Sequence, residues 1–335
     1  MLIIDKPGLQ TSVQDLGRPG FQQYGVVAGG AMDPYAHRVA NLLVGNSQNC
    51  ATIEAALAGP TIRFETDSLI ALAGGDLSPN IDGKPVPMWR PVAVKAGAVL
   101  AFGMAVSGCR VYVAVAGGID VPEVMGSRST YTKARIGGLD GRCLEKGDRL
   151  PVGNPSVHAK QWTATVLSQA GDKQFCAADW SVSDDLIPLY GKEAEIRMMR
   201  GPQHHWFDEE SLAAFFGGIF TVSSESDRMG YRLKGDTLRL SEPRELLSEG
   251  VVAGAVQVPS GGSPILLMAD RQTTGGYPKI GQAAAVDLPI VAQMQPGAKL
   301  RFKEVSVEEA QQQLTQQKKQ LSELKLSIEL KLKGV

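Results

Sequence analysis

The chain has 335 residues, 43% of them hydrophobic and 21% charged, which is enough to bury one large core or two modest ones, with length favouring two domains. Its formal net charge of −1 sets up no field for a phosphate backbone or an anionic lipid surface, so nucleic-acid and membrane-surface roles are disfavoured. The opening Met1-Leu2-Ile3-Ile4-Asp5-Lys6 has no basic region ahead of its short apolar run. No stretch approaches the roughly 20 apolar residues of a bilayer span, and a cytoplasmic protein is expected. Cys50, Cys109, Cys143 and Cys176 are scattered without a C-x-x-C pair, and no H-E-x-x-H occurs, so neither a zinc knuckle, a redox motif nor another metal site is expected.

In chain order, Asp33 followed by Pro34 reads as an N-cap with proline at the first helical position. Ala36, Val39, Ala40 and Leu43 follow at helical spacing up to Gly45-Asn46. His37 on this helix reads as an ordinary surface or core histidine. Glu54 falls among Ile53, Ala55, Ala56 and Leu57, where a carboxylate must be paired or protonated. Apolar runs at 68–73, 111–116 and 265–269, each closed by a turn signal, predict buried strands of sheets or barrels. Residues 155–195 are polar without long periodicity and read as a boundary region. A second short helix is predicted over 208–216, with Leu212, Phe215 and Phe216 on one face. A third starts at Ser306, in a capping box with Glu309. From 324 to 332 leucine or isoleucine alternates with polar residues, a strand period, yet Leu321, Leu324 and Ile328 continue a helical stripe. One long helix is favoured, as a solvated tail or as a partner-facing amphipathic element.

The two halves resemble each other weakly. Arg18-Pro19-Gly20-Phe21 pairs with Arg228-Met229-Gly230-Tyr231, Gly59-Pro60-Thr61-Ile62 with Ser263-Pro264-Ile265-Leu266, and 95–102 with 295–302. The order is preserved at offsets of 210, 204 and 200 residues. Two copies of one β-rich unit would produce this, as would convergent turn-and-strand composition. The expected layout is a first β-barrel domain at 1–190, a second at 191–305 and a helical extension at 306–335.

No Walker A loop, G-x-G-x-x-G or G-x-S-x-G is present. Three polar, glycine-containing clusters remain: 11–18, 29–33 and 270–279. The third follows an apolar strand directly, which would put polar heads at the rim of a rigid scaffold. There Asp270 could serve as a base or orienting acceptor, and Gln272, Thr273 and Thr274 could read an amide. Gly275-Gly276 allows close backbone approach, with Tyr277 beside it, and Lys279 could hold a carboxylate. Arg228 could clasp a carboxylate bidentately or bridge Asp227 or Glu245, and Gln257 belongs to the same half. Gln14, Asp15, Arg18 and Asp33 are binding candidates in the first half, with a capped turn as the plain alternative.

The segments Gln14-Asp15-Leu16-Gly17-Arg18-Pro19-Gly20, Gly30-Ala31-Met32-Asp33, Arg38-Val39-Ala40-Asn41-Leu42-Leu43-Val44-Gly45-Asn46, Val115-Ala116-Gly117-Gly118-Ile119-Asp120-Val121-Pro122, Ser226-Asp227-Arg228-Met229-Gly230-Tyr231-Arg232-Leu233 and Gln272-Thr273-Thr274-Gly275-Gly276-Tyr277-Pro278 resemble the biotin-dependent carboxyltransferase-like family, over residues 1 to about 305. The resemblance implies a mainly β protein of two tandem cyclophilin-like β-barrels. It implies work with two 5-oxoprolinase partners, a KipI-like B subunit together with an A subunit, in ATP-coupled hydrolysis of 5-oxo-L-proline to L-glutamate. Two other roles within the family stay open. One is a KipA-like regulator that antagonises a histidine-kinase inhibitor. The other is a carboxyltransferase half served by biotin carried on another protein, since no biotin-attachment segment occurs here. The resemblance supplies no catalytic residue; Asp270, Gln272 and Arg228 are chosen on chemistry.

Overall fold

Turn signals at short intervals leave little room for long helices, and strands dominate the computed structural model, which describes residues 1–333. The mainly β class expected from the sequence is observed. The chain divides into two compact units. Unit 1 comprises Met1–Arg18, Asp33–Leu189 and the chain from Lys319 on; unit 2 comprises Pro19–Met32 and Tyr190–Lys318.

In unit 1, one six-stranded sheet orders Arg149–Leu150, Leu2–Lys6, Thr61–Phe64, Val99–Ala101, Asn80–Ile81 and Lys84–Pro85. The other orders Phe175–Ala177, Pro91–Val94, Ser68–Asp76, Ser107–Val115, Thr52–Ala56 and Gln10–Gln14. The apolar runs at 68–73 and 111–116 lie in two central antiparallel strands of this second sheet. Both of its faces are covered, so these strands read as continuous apolar runs rather than alternating ones. Ile53, Ile70, Leu72, Val111 and Val113 share one core with Ile4, Ile62, Phe64 and Leu100 of the first sheet. Helix α1 (Pro34–Leu43) packs on the two central strands. It starts as expected: the Asp33 carboxylate accepts the Ala36 N–H at 2.9 Å and Pro34 occupies the first turn. Helix α2 (Val157–Ser168), capped by Ser156, falls in the stretch read from the sequence as a polar boundary region. It buries Ala159, Thr163 and Leu167, with Trp162 and Val166 partly buried against Leu167 and Ala93.

In unit 2, seven strands close into a barrel: Glu193–Arg200, Lys279–Ala283, Ala255–Gln257, Ile265–Leu267, Gly230–Lys234, Phe220–Val222 and Lys299–Glu304, the last pairing parallel with the first. Closure leaves no open sheet edge. Ile196, Val256, Leu266, Ile280 and Leu300 fill it with Phe215 from helix α3 (Glu209–Gly217), whose ring lies 4.6 Å from that of Phe302. Full burial of each such ring contributes about 2–3 kcal/mol. Met32 joins this core from the 19–32 segment, which packs with unit 2 although the sequence places it inside the first half. Helix α4 (Leu288–Ala292) follows, then helix α5 (Val307–Lys333), opened by reciprocal bonds between Ser306 and Glu309 at 2.8 and 3.1 Å. In α5, Leu321, Ile328 and Leu332 are buried while Leu326 and Leu330 are exposed, so the helical stripe wins over the strand-like alternation.

Strand pairing tests the repeat directly. Gly97 and Gly297 adopt φ of 87° and 88°. Gly97 N–H donates to the Phe64 carbonyl and Gly297 N–H to the Val222 carbonyl, at 2.7 and 2.8 Å. The same two residues, Phe64 and Val222, donate in turn to the Ala98 and Ala298 carbonyls. The 95–102 and 295–302 segments are therefore equivalent turn-and-strand units. The match of 59–62 with 263–266 is not structural, because Thr61–Phe64 pairs with the strand after Gly97, whereas Ile265–Leu267 pairs with Gly230–Lys234 and Ala255–Gln257. The match of 18–21 with 228–231 also differs in context: Arg18 follows its strand and Arg228 precedes one.

Candidate functional site

The residues singled out from sequence fall in both units, and each group is built separately. In unit 1 the strand Gln10–Gln14 runs out into Asp15, whose carboxylate gathers four donors. Oδ1 accepts from Gly17 N–H and the Ser127 and Ser129 hydroxyls at 2.7, 2.7 and 2.6 Å, and Oδ2 accepts from Arg128 N–H at 2.6 Å. The Gln14 amide donates to Ser12 and to the Thr130 carbonyl. The buried Arg18 guanidinium donates to the Ser129 and Val124 carbonyls. These three residues pin the strand end to the 124–130 loop. Asp33 caps α1, and its own N–H donates at 2.7 Å to the Tyr112 hydroxyl, which in turn donates at 2.7 Å to Glu54. Burial and the Glu54 carboxylate push the Tyr112 hydroxyl well above its ordinary pKa. Glu54 is thus paired, as its apolar surroundings demand, and Tyr112 is the partner that no local signal announced. His37 is buried against Thr52 at 3.0 Å, and desolvation pushes its pKa down to about 4.

In unit 2, Arg228 and Asp270 are brought together. The guanidinium donates through Nε and one terminal nitrogen to the two carboxylate oxygens at 2.8 and 3.1 Å, and also to the Gly30 carbonyl at 2.6 Å. Asp270 N–H donates to the Arg228 carbonyl. Both side chains are at or below 10% exposure. Asp270 is therefore a bidentate carboxylate partner of Arg228. Such a bidentate pair fixes geometry as well as charge.

Beyond Asp270 the backbone opens into Gln272, Thr273 and Thr274. Thr274–Gly275 pairs with Glu249–Gly250 in a two-residue ribbon. Gln257 and Lys279 face each other across neighbouring barrel strands. Lys279 reaches Glu249, which also accepts from the Gln203 amide at 2.9 Å. These bonds hold the Glu249 carboxyl below its ordinary range. Gln257 is buried. Its carbonyl accepts from Gln272 at 3.3 Å, while its Nε2 donates to no group among the described residues. A buried donor left unmatched costs about 1–3 kcal/mol, so this atom is open to a ligand carbonyl or a water. Gly275 lies so close to it that a Cβ at 275 would collide. Gly276 passes beside the Leu246 carbonyl, and Tyr277 is about half exposed. Gly276, Tyr277 and Pro278 also border a cleft of about 950 Å³, walled by Phe207 and Val258 with Arg239 and Arg244 on its lining. Glu249 and Gln203 carry no sequence signal, since each stands tens of residues from the partners it meets. No cluster of metal-ligating side chains occurs among the described residues, and no helix among them is long and apolar enough to cross a membrane.

The arrangement suits binding. Its charged groups are neutralised internally, and its open hydrogen-bonding capacity is an amide donor flanked by a lysine. Residues 24–304 match the carboxyltransferase domain family, subdomains A and B. The chain belongs to that family. It is 44% identical over 311 residues to the 5-oxoprolinase C subunit of Escherichia coli strain K12, covering 92% of this chain and 93% of that protein. It is 33% identical over 319 residues to the urea amidolyase of Saccharomyces cerevisiae, covering 91% of this chain but 17% of that enzyme. The crystal structure of the K. lactis urea amidolyase is similar at a TM-score of 0.86 and 31% identity, over 96% of this chain and 20% of that one.

Proposed function

We propose that the chain acts as the C subunit of a cytoplasmic, ATP-dependent 5-oxoprolinase, hydrolysing 5-oxo-L-proline to L-glutamate with a KipI-like B subunit together with an A subunit. The observation that carries this reading is coverage. The likeness to the 5-oxoprolinase C subunit extends over nearly the whole of both chains, whereas the likeness to urea amidolyase leaves most of that enzyme unmatched. In this reading the substrate, a lactam bearing a carboxylate, meets the floor formed by Gln257, Gln272 and Lys279 beneath Thr273, Thr274, Gly275, Gly276 and Tyr277. The Arg228–Asp270 pair positions that floor from below. Gln14, Asp15, Arg18 and Asp33 set the shape of the unit 1 loops. ATP is used by the assembly, and nothing is attached covalently to this chain.

Co-expression with candidate A and B subunits, followed by an assay of ATP-dependent glutamate release from 5-oxo-L-proline, tests the proposal. Assembly without release would overturn it. The second reading, a carboxyltransferase half served by biotin on another protein, is favoured by the urea amidolyase fold likeness. It predicts carboxyl transfer from carboxybiotin by the same preparation and no glutamate release.

A further inference from the structure

Gln257 and Lys279 are register partners on neighbouring antiparallel strands, just past a one-residue register shift after Val256. Both side chains are buried at the barrel end. The ammonium of Lys279 requires an anion there, and that anion is Glu249, whose own side chain is 45% exposed. The amide Nε2 of Gln257 is unmatched among the described residues. A single element covers both groups. The ribbon of Glu249–Gly250 and Thr274–Gly275 lays its carboxylate on the ammonium and its Gly275 on the amide nitrogen. Only two register pairs join its strands, and isolated two-stranded ribbons are marginal in water.

We propose that Lys279 and Gln257 form a two-point receptor for a small molecule carrying both a carboxylate and an amide carbonyl, and that Glu249 stands in for the ligand's carboxylate when the site is closed. The ligand carboxylate takes the place of Glu249 on Lys279, so the buried ammonium keeps one anion throughout. The half-exposed Glu249 moves into water, the ribbon lifts with it, and Gln257 Nε2 donates to the ligand carbonyl. Gln272 keeps the Gln257 carbonyl occupied and so turns Nε2 toward the incoming group. A side chain at 275 would press first on the amide end of Gln257, the group that must turn toward the ligand. The identity of the ligand as a lactam rests on the 5-oxoprolinase reading; the exchange at Lys279 does not.

The test is calorimetric titration of the full chain with 5-oxo-L-proline, with L-proline, which lacks the carbonyl, and with 2-pyrrolidinone, which lacks the carboxylate. Amide hydrogen exchange is followed at 249–250 and 274–275. The expected result is that 5-oxo-L-proline binds more tightly than either fragment and raises exchange in the ribbon. Glu249→Gln removes the competing charge at an exposed position and should tighten binding by about tenfold. Gln257→Leu should weaken 5-oxo-L-proline by about tenfold and leave L-proline unaffected, since one hydrogen bond is lost. Equal or weaker binding by the Glu249 variant, a ribbon indifferent to ligand, or no binding by either protein overturns the inference. If the Gln257 variant does not fold, the two fragments on the unaltered chain measure the same two contacts. Glutamate release by the assembly with no response at Glu249 sinks this inference alone. Binding that responds at Glu249, with no glutamate release, sinks the 5-oxoprolinase reading alone.

Discussion

Asp270→Ala separates a structural from a chemical role for the buried pair. In the folded chain its carboxylate takes two hydrogen bonds from Arg228, at 2.8 and 3.1 Å, with both side chains nearly inaccessible. Removing the carboxylate leaves a buried guanidinium that loses its bidentate partner and keeps the Gly30 carbonyl. Breaking one member of such a pair costs about 3–5 kcal/mol. At about 2–4 °C per kcal/mol for a body of this size, melting should fall by roughly 6–20 °C. Replacing both partners with apolar residues, Arg228→Met with Asp270→Leu, should recover most of the loss, because the penalty comes from an uncompensated charge rather than from a missing attraction. Urea and thermal unfolding of the two single variants and the double variant measure this. Unchanged stability in Asp270→Ala, together with loss of glutamate release at a temperature where the variant is folded, would refute the reasoning and assign the carboxylate to chemistry.

Three further outcomes follow from the geometry. His37 has a folded pKa of about 4 against an ordinary 6.5, so the unfolded chain binds its proton first on acidification. Its stabilising effect is complete above about pH 6.5 and is lost as pH falls toward 4, by about 3 kcal/mol in all; urea midpoints of His37→Gln should lack that slope, and an identical slope would contradict the account. Tyr112→Phe strips a donor from Glu54 and an acceptor from Asp33 N–H, and should cost about 2 kcal/mol or more in urea unfolding; an unshifted midpoint would contradict it. Gly97→Ala and Gly297→Ala introduce no clash but force a side chain into the same left-handed backbone, so each should cost about 1–2 kcal/mol and by similar amounts. A large inequality would argue against equivalent turns.

What the sequence made legible was local. The Asp33-Pro34 start, the Ser306–Glu309 capping box and the apolar strands depend on neighbours within a few residues, and each stands where expected. The Gly97 and Gly297 turns were legible because a positive φ leaves a glycine in the sequence. Contacts across long separations were not. Nothing near residues 19–32 indicates that Met32 enters the unit 2 core, and nothing near Arg228 marks Asp270, 42 residues on, as its bidentate partner. Helix α2 escaped although Ala159, Trp162, Thr163, Val166 and Leu167 recur at helical spacing, because Thr163 interrupts the apolar stripe and Val157 lies exposed outside it. At the candidate site the sequence supplied the polar cluster at 270–279 but not the latch. Glu249 and Gln203 meet Lys279 only once the barrel has closed.

The most direct measurement is a drop-out reconstitution. Purified A and B subunits are assayed for ATP-dependent conversion of 5-oxo-L-proline to L-glutamate with and without this chain. The account predicts release only when all three are present. Equal release by the other two alone, or none with all three in a stable assembly, would contradict it.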